Sequence, residues 1–311
     1  VRRLLPFALA LALVPAAASA TARERPVAGP ISAVSIAGTD IAYSDEFKTR
    51  CHEIRLWDPA ARTEKRLASH CFVSTSTGSG VAGVIATGGR AVWLTYIGGN
   101  IREWSLWTKA GRAKARKIAF LTADVDGAPP VTLGRAWEGS LPYATGSKII
   151  VLAPNGSRRF TLTAPDTVVS LSAHSRGYAA VLANGHVLTI SLAGKLLGEQ
   201  PFEAGVVQEA LLAAPGLVVK TVDGLEIHKN GAVRKIQLPR GARFLGYSEG
   251  IVAYGTGREL RLRWLTGERD ALFRRFEPGF LAQLGRRGLT WASGRTLGFS
   301  AWVIVSSTRP S

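Results

Sequence analysis

Methionine is absent from this chain of 311 residues, cysteine occurs only twice, and acidic residues are few, 22 against 39 Lys and Arg. Two cysteines exclude a disulfide-dense scaffold or a cysteine-rich zinc module. In the mature chain no apolar run reaches the roughly 20 residues of a membrane-spanning helix. The five histidines (His52, His70, His174, His186 and His228) show no His-x-x-x-His or His-Glu-x-x-His spacing, and no Gly-x-Ser-x-Gly nucleophile elbow occurs. Helical 3.6-residue periodicity does not persist, which argues against a helical bundle and against alternating strands and helices. Charged residues make up 20% without a long block of one sign, so the composition is that of a folded domain.

What is present is repetition. A glycine-led turn feeds a short apolar run at Gly38–Tyr43, Gly89–Leu94, Gly139–Tyr143, Gly177–Leu182, Gly216–Lys220, Gly250–Tyr254 and Gly288–Trp291. The spacing of roughly 35–50 residues is that of propeller blades. One such unit cannot bury its own apolar faces; units stacked about an axis can. The fold class expected is therefore all-β: a β-propeller of seven blades, each of four antiparallel strands. The first blade reads as Ile31–Ile36, Asp40–Tyr43, His52–Trp57 and Glu64–Ala68. The seventh offers only Phe280–Leu284, Leu289–Trp291 and Thr296–Val305, so Arg25–Pro30 is expected to supply its outer strand and close the ring. Asn155-Gly156, Asn184-Gly185, Asp223-Gly224 and Asn230-Gly231 fall between strands and suit type I′ hairpins. Gly78-Ser-Gly80-Val-Ala-Gly83 fits a nucleotide-binding pattern, but it precedes a strand and reads as an inter-blade connection. Asp124-Val-Asp126-Gly127 lacks the later ligands of a calcium loop and also reads as a connection.

Residues 1–22 are expected to be a secretory signal and residues 23–311 the propeller. Arg2 and Arg3 precede an apolar run from Leu4 to Val14, and Ala18 and Ala20 give an Ala-x-Ala cleavage pattern. Val1 in a chain without methionine is read as a non-ATG start written literally. In an exported chain, Cys51 and Cys71 are expected to form a disulfide across a hairpin centred near Ala61. That hairpin also faces His52 with His70, read as a pair on an exposed edge, and Leu56 with Arg66, an apolar residue opposite a charge. The net charge of +17 falls to +15 once Arg2 and Arg3 leave with the signal. Such a surface favours anionic partners. Export and the absence of a recognition helix argue against nucleic acid as the natural one.

The strand Ile54-Arg-Leu-Trp-Asp58 resembles the Trp-Asp strand end of WD40 repeats, with partial echoes at Leu106-Trp107 and Arg263-Trp264. The Gly-His dipeptide of that family is missing. The pattern over residues 31–305 is closer to the looser bacterial exported propellers of the TolB-like and YVTN-like kinds. The resemblance implies a propeller fold and binding of a protein or a surface, and transfers no catalytic residue. No cofactor and no metal site is expected. The reading is an exported, extracellular, wall-associated or periplasmic, non-catalytic propeller binding a protein partner or an anionic cell-envelope polymer. Trp137, in a loop beside Arg135 and Glu138, is the expected exposed aromatic; Arg158, Arg159, Arg274, Arg275, Arg286 and Arg287 are the expected basic contacts. The other tryptophans are expected to fill wedges between blades. The alternative is a glycan-active lyase or hydrolase in the central channel, with Glu138, Glu209 or Glu249 as its acids.

Overall fold

The computed structural model describes residues 22–73, 78–126, 129–267 and 269–301; the expected signal lies almost wholly outside them. The described residues form 28 strands and no helix, arranged as seven four-stranded antiparallel sheets. This is the expected seven-bladed propeller. After β1 (Arg23–Pro26), blade 1 is β2 (Ile31–Ala37), β3 (Asp40–Lys48), β4 (Cys51–Asp58) and β5 (Thr63–Cys71). Blade 2 is β6 (Ser79–Thr87), β7 (Arg90–Ile97), β8 (Ile101–Ala110) and β9 (Arg116–Asp124). Blade 3 is β10 (Val131–Leu133), β11 (Leu141–Thr145), β12 (Lys148–Leu152) and β13 (Arg158–Thr163). Blade 4 is β14 (Val168–His174), β15 (Gly177–Leu182), β16 (Val187–Ile190) and β17 (Leu196–Gln200). Blade 5 is β18 (Val207–Ala213), β19 (Gly216–Thr221), β20 (Gly224–Lys229) and β21 (Ala232–Gln237). Blade 6 is β22 (Arg243–Ser248), β23 (Ile251–Thr256), β24 (Glu259–Trp264) and β25 (Asp270–Arg275). Blade 7 is β26 (Leu281–Gly285), β27 (Gly288–Ser293) and β28 (Thr296–Ala301), with β1 as its outer strand.

The core lies between blades because each sheet is apolar on both faces of its inner strands. Between blades 1 and 2, Ile54, Leu56 and Leu67 meet Val81, Val84 and Trp93. Between blades 7 and 1, Ile36, Ile41, Tyr43 and Trp57 meet Ala292 and Leu297. Trp57, Trp93, Trp104 and Trp291 are buried in such wedges. The outer strands of blades 1 and 3 alternate half-buried and exposed residues, as a sheet covered on one side should.

Cys51 faces Cys71 in register, and the two are joined as a disulfide. The expected pairing of Leu56 with Arg66 is shifted by a β-bulge between Ile54 and Arg55, and Leu56 still faces a charge. Beyond it Leu56 faces Lys65, and the extra residue on β5, Leu67, turns into the core at 2% exposure. A bulge thus keeps both the cysteine register and the apolar face.

The turns differ in detail from expectation. Only Asn230-Gly231 has positive φ at both residues, 51° and 79°. At Asn155 and Asn184 the side-chain carbonyl instead accepts the amide two residues on, from Ser157 and His186. These are Asx turns, a competing local solution for asparagine. In the Gly-x-Gly-x-x-Gly segment, Gly80 and Gly83 lie within β6 itself.

The closing strand is Arg23–Pro26 rather than Arg25–Pro30. It runs antiparallel to β28, from Arg23 opposite Phe299 to Pro26 opposite Thr296. Gly29 cannot lie in that strand, because its backbone presses on the Glu46 carbonyl, where a Cβ would come within 1.6 Å. Alternation then sends β1 side chains to two neighbours. Arg23 donates to the Pro59 carbonyl and Arg25 pairs with Glu64 at 2.8 Å, both in blade 1. Glu24 pairs with Arg274 of blade 6. Glu64 also accepts from the Tyr43 hydroxyl and from Arg55 at 2.7 Å. Burial, then this hydrogen bond, hold the Tyr43 phenol far above its ordinary range.

Candidate functional site

Turns joining first to second strands, and third to fourth, open on one face of the ring; the remaining connections open on the other. The channel between them is lined by small apolar residues such as Ala33, Ala82, Val169 and Ala282 and encloses a cavity of about 510 Å³.

Arg135 crosses this channel. It gets there because the inner strand of blade 3 stops at Leu133 and the chain leans onto blade 4. The Arg135 amide donates to Leu171 at 2.9 Å, and the Arg135 carbonyl accepts from Ala173 at 2.9 Å. Gly134 permits the crossing: a Cβ there would lie 2.9 Å from the Pro142 oxygen and 3.0 Å from the Leu171 oxygen. The guanidinium contacts Glu209 of blade 5 at 2.7 and 2.8 Å and donates to the Leu245 carbonyl of blade 6 at 3.0 Å. A Cβ on Gly246 would stand 3.1 Å from Arg135 Nη1, so glycine makes room for it. One cation therefore ties three blades, and Glu209 is engaged rather than free for acid–base work.

Below Arg135, His174 Nε2 donates to the Tyr247 carbonyl at 3.0 Å, and Nδ1 accepts from the Ser175 hydroxyl at 3.0 Å. Burial holds this histidine down at about 4, with Arg135 adding to the effect, so the ring is neutral at pH 7. Trp137 stacks on it at 4.0 Å between centroids. Trp137 is thus half-buried, not the exposed aromatic expected, because its indole covers a histidine contributed by the next blade.

At the mouth of this face Glu138 reaches the turn of blade 7, 2.8 Å from Arg286 and 3.8 Å from Arg287. Trp137, Arg286 and Arg287 therefore share one patch. The other arginine pairs lie apart on outer strands. Arg274 pairs with Glu24 and rests on Phe276 and Trp291, and Arg275 pairs with Glu259 at 3.1 Å. Arg158 and Arg159, on β13, are exposed and meet no carboxylate among the described residues. Glu249 is exposed on the turn before β23 at a φ of 48°.

His52 and His70 face each other as expected, but not on an exposed edge. His52 is buried, and His70 accepts the Trp93 indole N–H at 2.9 Å beneath Trp107. Burial lowers both histidines. The reason is that β4 and β5 extend past their predicted ends and carry the pair under blade 2. No group of three or more His, Cys, Asp or Glu that could hold a metal occurs among the described residues.

Sequence reasoning missed Arg135 and the tyrosine–arginine–carboxylate groups of blades 1 and 6. The latter had a signal: Glu53-Ile-Arg55-Leu and Glu259-Leu-Arg261-Leu occupy matching third strands, and Tyr43 and Tyr254 face their arginines.

No protein-family model matches the sequence, and comparison with curated protein sequences gives no match. Solved structures do match in shape. A chain of the mitotic checkpoint complex aligns with a TM-score of 0.56 at 13% identity, covering 97% of this chain and 99% of that one. Sqt1 of Saccharomyces cerevisiae aligns at 0.51 and 12% identity, covering 89% and 98%. The WD40 repeats of RRP9 align at 0.53 and 13% identity, covering 91% and 98%. These likenesses establish that the chain has the fold of WD40-type β-propellers.

Proposed function

We propose that this chain is an exported, non-catalytic β-propeller of the bacterial envelope kind, whose surface binds a protein partner or an anionic cell-envelope polymer. One observation carries the reading: exposed cations on the outer wall of blades 2 and 3 have no acidic partners among the described residues, while two of the three candidate acids of the channel side are engaged. Arg116, Lys117, Arg158 and Arg159 stand in the first group; Glu209 and Glu138, held by Arg135 and by Arg286 and Arg287, stand in the second. A lyase or hydrolase in the channel would need those carboxylates free. The signal-like residues 1–22 and the Cys51–Cys71 disulfide support export, since such bonds persist in oxidising compartments. Among the described residues no helix is long and apolar enough to cross a membrane. A propeller of this shape in the mitotic checkpoint complex supports the protein-partner arm.

The test is co-sedimentation with purified cell-wall polymer and pull-down from envelope extract, each across a salt series. Binding through exposed charge weakens as the screening length falls from about 10 Å at 0.1 M salt to about 3 Å at 1 M. Affinity indifferent to salt refutes the charge argument.

A further inference from the structure

Three blades place a tyrosine at the same point of the second strand. Tyr43 faces Arg55, Tyr254 faces Arg261 and Tyr143 faces Ile150. Two residues further along the third strand stand Trp57, Arg263 and Leu152. Their partners on the outer strand are Glu64, Asp270 and Arg158. In blade 1 the Tyr43 hydroxyl donates to Glu64, which Arg25 and Arg55 flank. In blade 6 the Tyr254 hydroxyl donates to Asp270 at 2.6 Å, which Arg261 holds at 3.0 Å. Both sites follow one plan: a buried phenol, a carboxylate receiving its proton, and guanidinium groups around the carboxylate.

Blade 3 keeps the phenol, has Ile150 in place of the third-strand arginine, and lacks the carboxylate. Tyr143 is 5% exposed and its hydroxyl has no partner among the described residues. Arg158 stands where the carboxylate stands in the other two blades. Arg116 and Lys117 come from the outer strand of blade 2, and with Arg158 and Tyr143 they line a slot of about 480 Å³ that no acidic residue enters. Arg90 crowds the same corner. It donates to the Pro154 and Asn155 carbonyls at 2.7 and 3.0 Å, and burial followed by the charge of Arg116 pulls it below its ordinary range. Like charges gathered over a buried phenol repel one another until an anion joins them. Tyr143 itself is raised by burial, and Arg158 and Arg116 oppose that rise, so both guanidinium groups act on the phenol oxygen.

We propose that the slot between blades 2 and 3 binds a phosphate group, with Arg116 and Arg158 on its oxygens and the Tyr143 hydroxyl donating to it. The anion takes the place that Glu64 and Asp270 fill elsewhere in the ring. Arginine suits this role because its planar fork matches phosphate oxygens. The proposal deepens the anionic-partner reading above by naming one group and one place.

The probe is inorganic phosphate, titrated calorimetrically into the purified chain, with chloride at matched ionic strength as the control. The expected result is saturable binding of one phosphate per chain and a rise in melting temperature that chloride does not give. Tyr143→Phe is expected to weaken binding about 5–10-fold, the effect of one hydrogen bond. Arg158→Glu is expected to weaken it at least about 100-fold by reversing a contacting charge. Arg158→Glu should also melt no lower than the wild type without phosphate, because it rebuilds the blade 1 arrangement. Arg116→Gln, an exposed replacement, is expected to lose binding as well should Arg158→Glu fail to fold. Phosphate affinity equal in the wild type and in these variants overturns the proposal. Retained phosphate binding with salt-indifferent polymer binding overturns only the broader reading; salt-sensitive polymer binding without phosphate binding overturns only the slot.

Discussion

Glu64→Ala tests the seam that closes the ring. The carboxylate receives Arg25 at 2.8 Å, Arg55 at 2.7 Å and the Tyr43 hydroxyl, and is 16% exposed. Its loss acts differently on each partner. Tyr43 is 1% exposed, so its hydroxyl is left buried without an acceptor, which costs about 1–3 kcal/mol. Arg55 is 24% exposed and keeps Glu53, and Arg25 is 29% exposed and turns to water, so each adds at most about 1 kcal/mol. The expected loss is about 2–3 kcal/mol. At about 2–4 °C per kcal/mol for a domain of this size, the melting temperature falls by roughly 4–12 °C. Glu24→Ala removes an exposed pair between β1 and Arg274 of blade 6 and should cost less than about 1 kcal/mol. Guanidinium denaturation read by tryptophan fluorescence measures both, and hydrogen exchange of the β1 amides shows whether the seam opens first. Equal midpoints for Glu64→Ala and wild type, or a larger loss from Glu24→Ala, refute the reasoning.

Two further outcomes follow from the fold. His174 is held at about 4 in the folded chain against about 6.5 when unfolded. The unfolded chain therefore binds the extra proton first, and the stability this residue contributes is complete above pH 6.5 and is lost as pH falls toward 4, by about 3 kcal/mol. His174→Asn should flatten the denaturation midpoint against pH over that window relative to wild type; parallel curves contradict the assignment. Replacing Cys51 and Cys71 together with serine removes a cross-link between positions 20 apart and should cost about 3 kcal/mol, read as a lower midpoint equal to that of the reduced wild type. A double variant as stable as the oxidised chain contradicts this.

The ring was legible because its signals are local. Glycine turns and short apolar runs recur, and β2, β3 and β28 begin at the residues expected, Ile31, Asp40 and Thr296. The cysteine register followed from counting along one hairpin. What escaped depends on contacts between blades. The bulge at Leu67 is set by the core of blade 2, against which Leu67 packs. Trp137 reads as a loop aromatic until His174, from another blade, slides beneath it. His52 and His70 are edge residues in their own hairpin and become interior ones only under Trp93 and Trp107. Arg135 stands alone in the sequence; the partners of its guanidinium, Glu209 and the Leu245 carbonyl, come from blades 5 and 6. The two Asn-Gly turns that departed from type I′ did so because the asparagine side chain satisfied the backbone itself.

The pairing of β1 with β28 imposes an order on the birth of this molecule. The segment synthesised first among the strands must wait for the one synthesised last, and until then blade 7 has no edge cover and Tyr43 lacks half of its wedge. A nascent chain is thus an open arc with two sticky borders, and a chaperone that shields the early segment would act during translation, not after it.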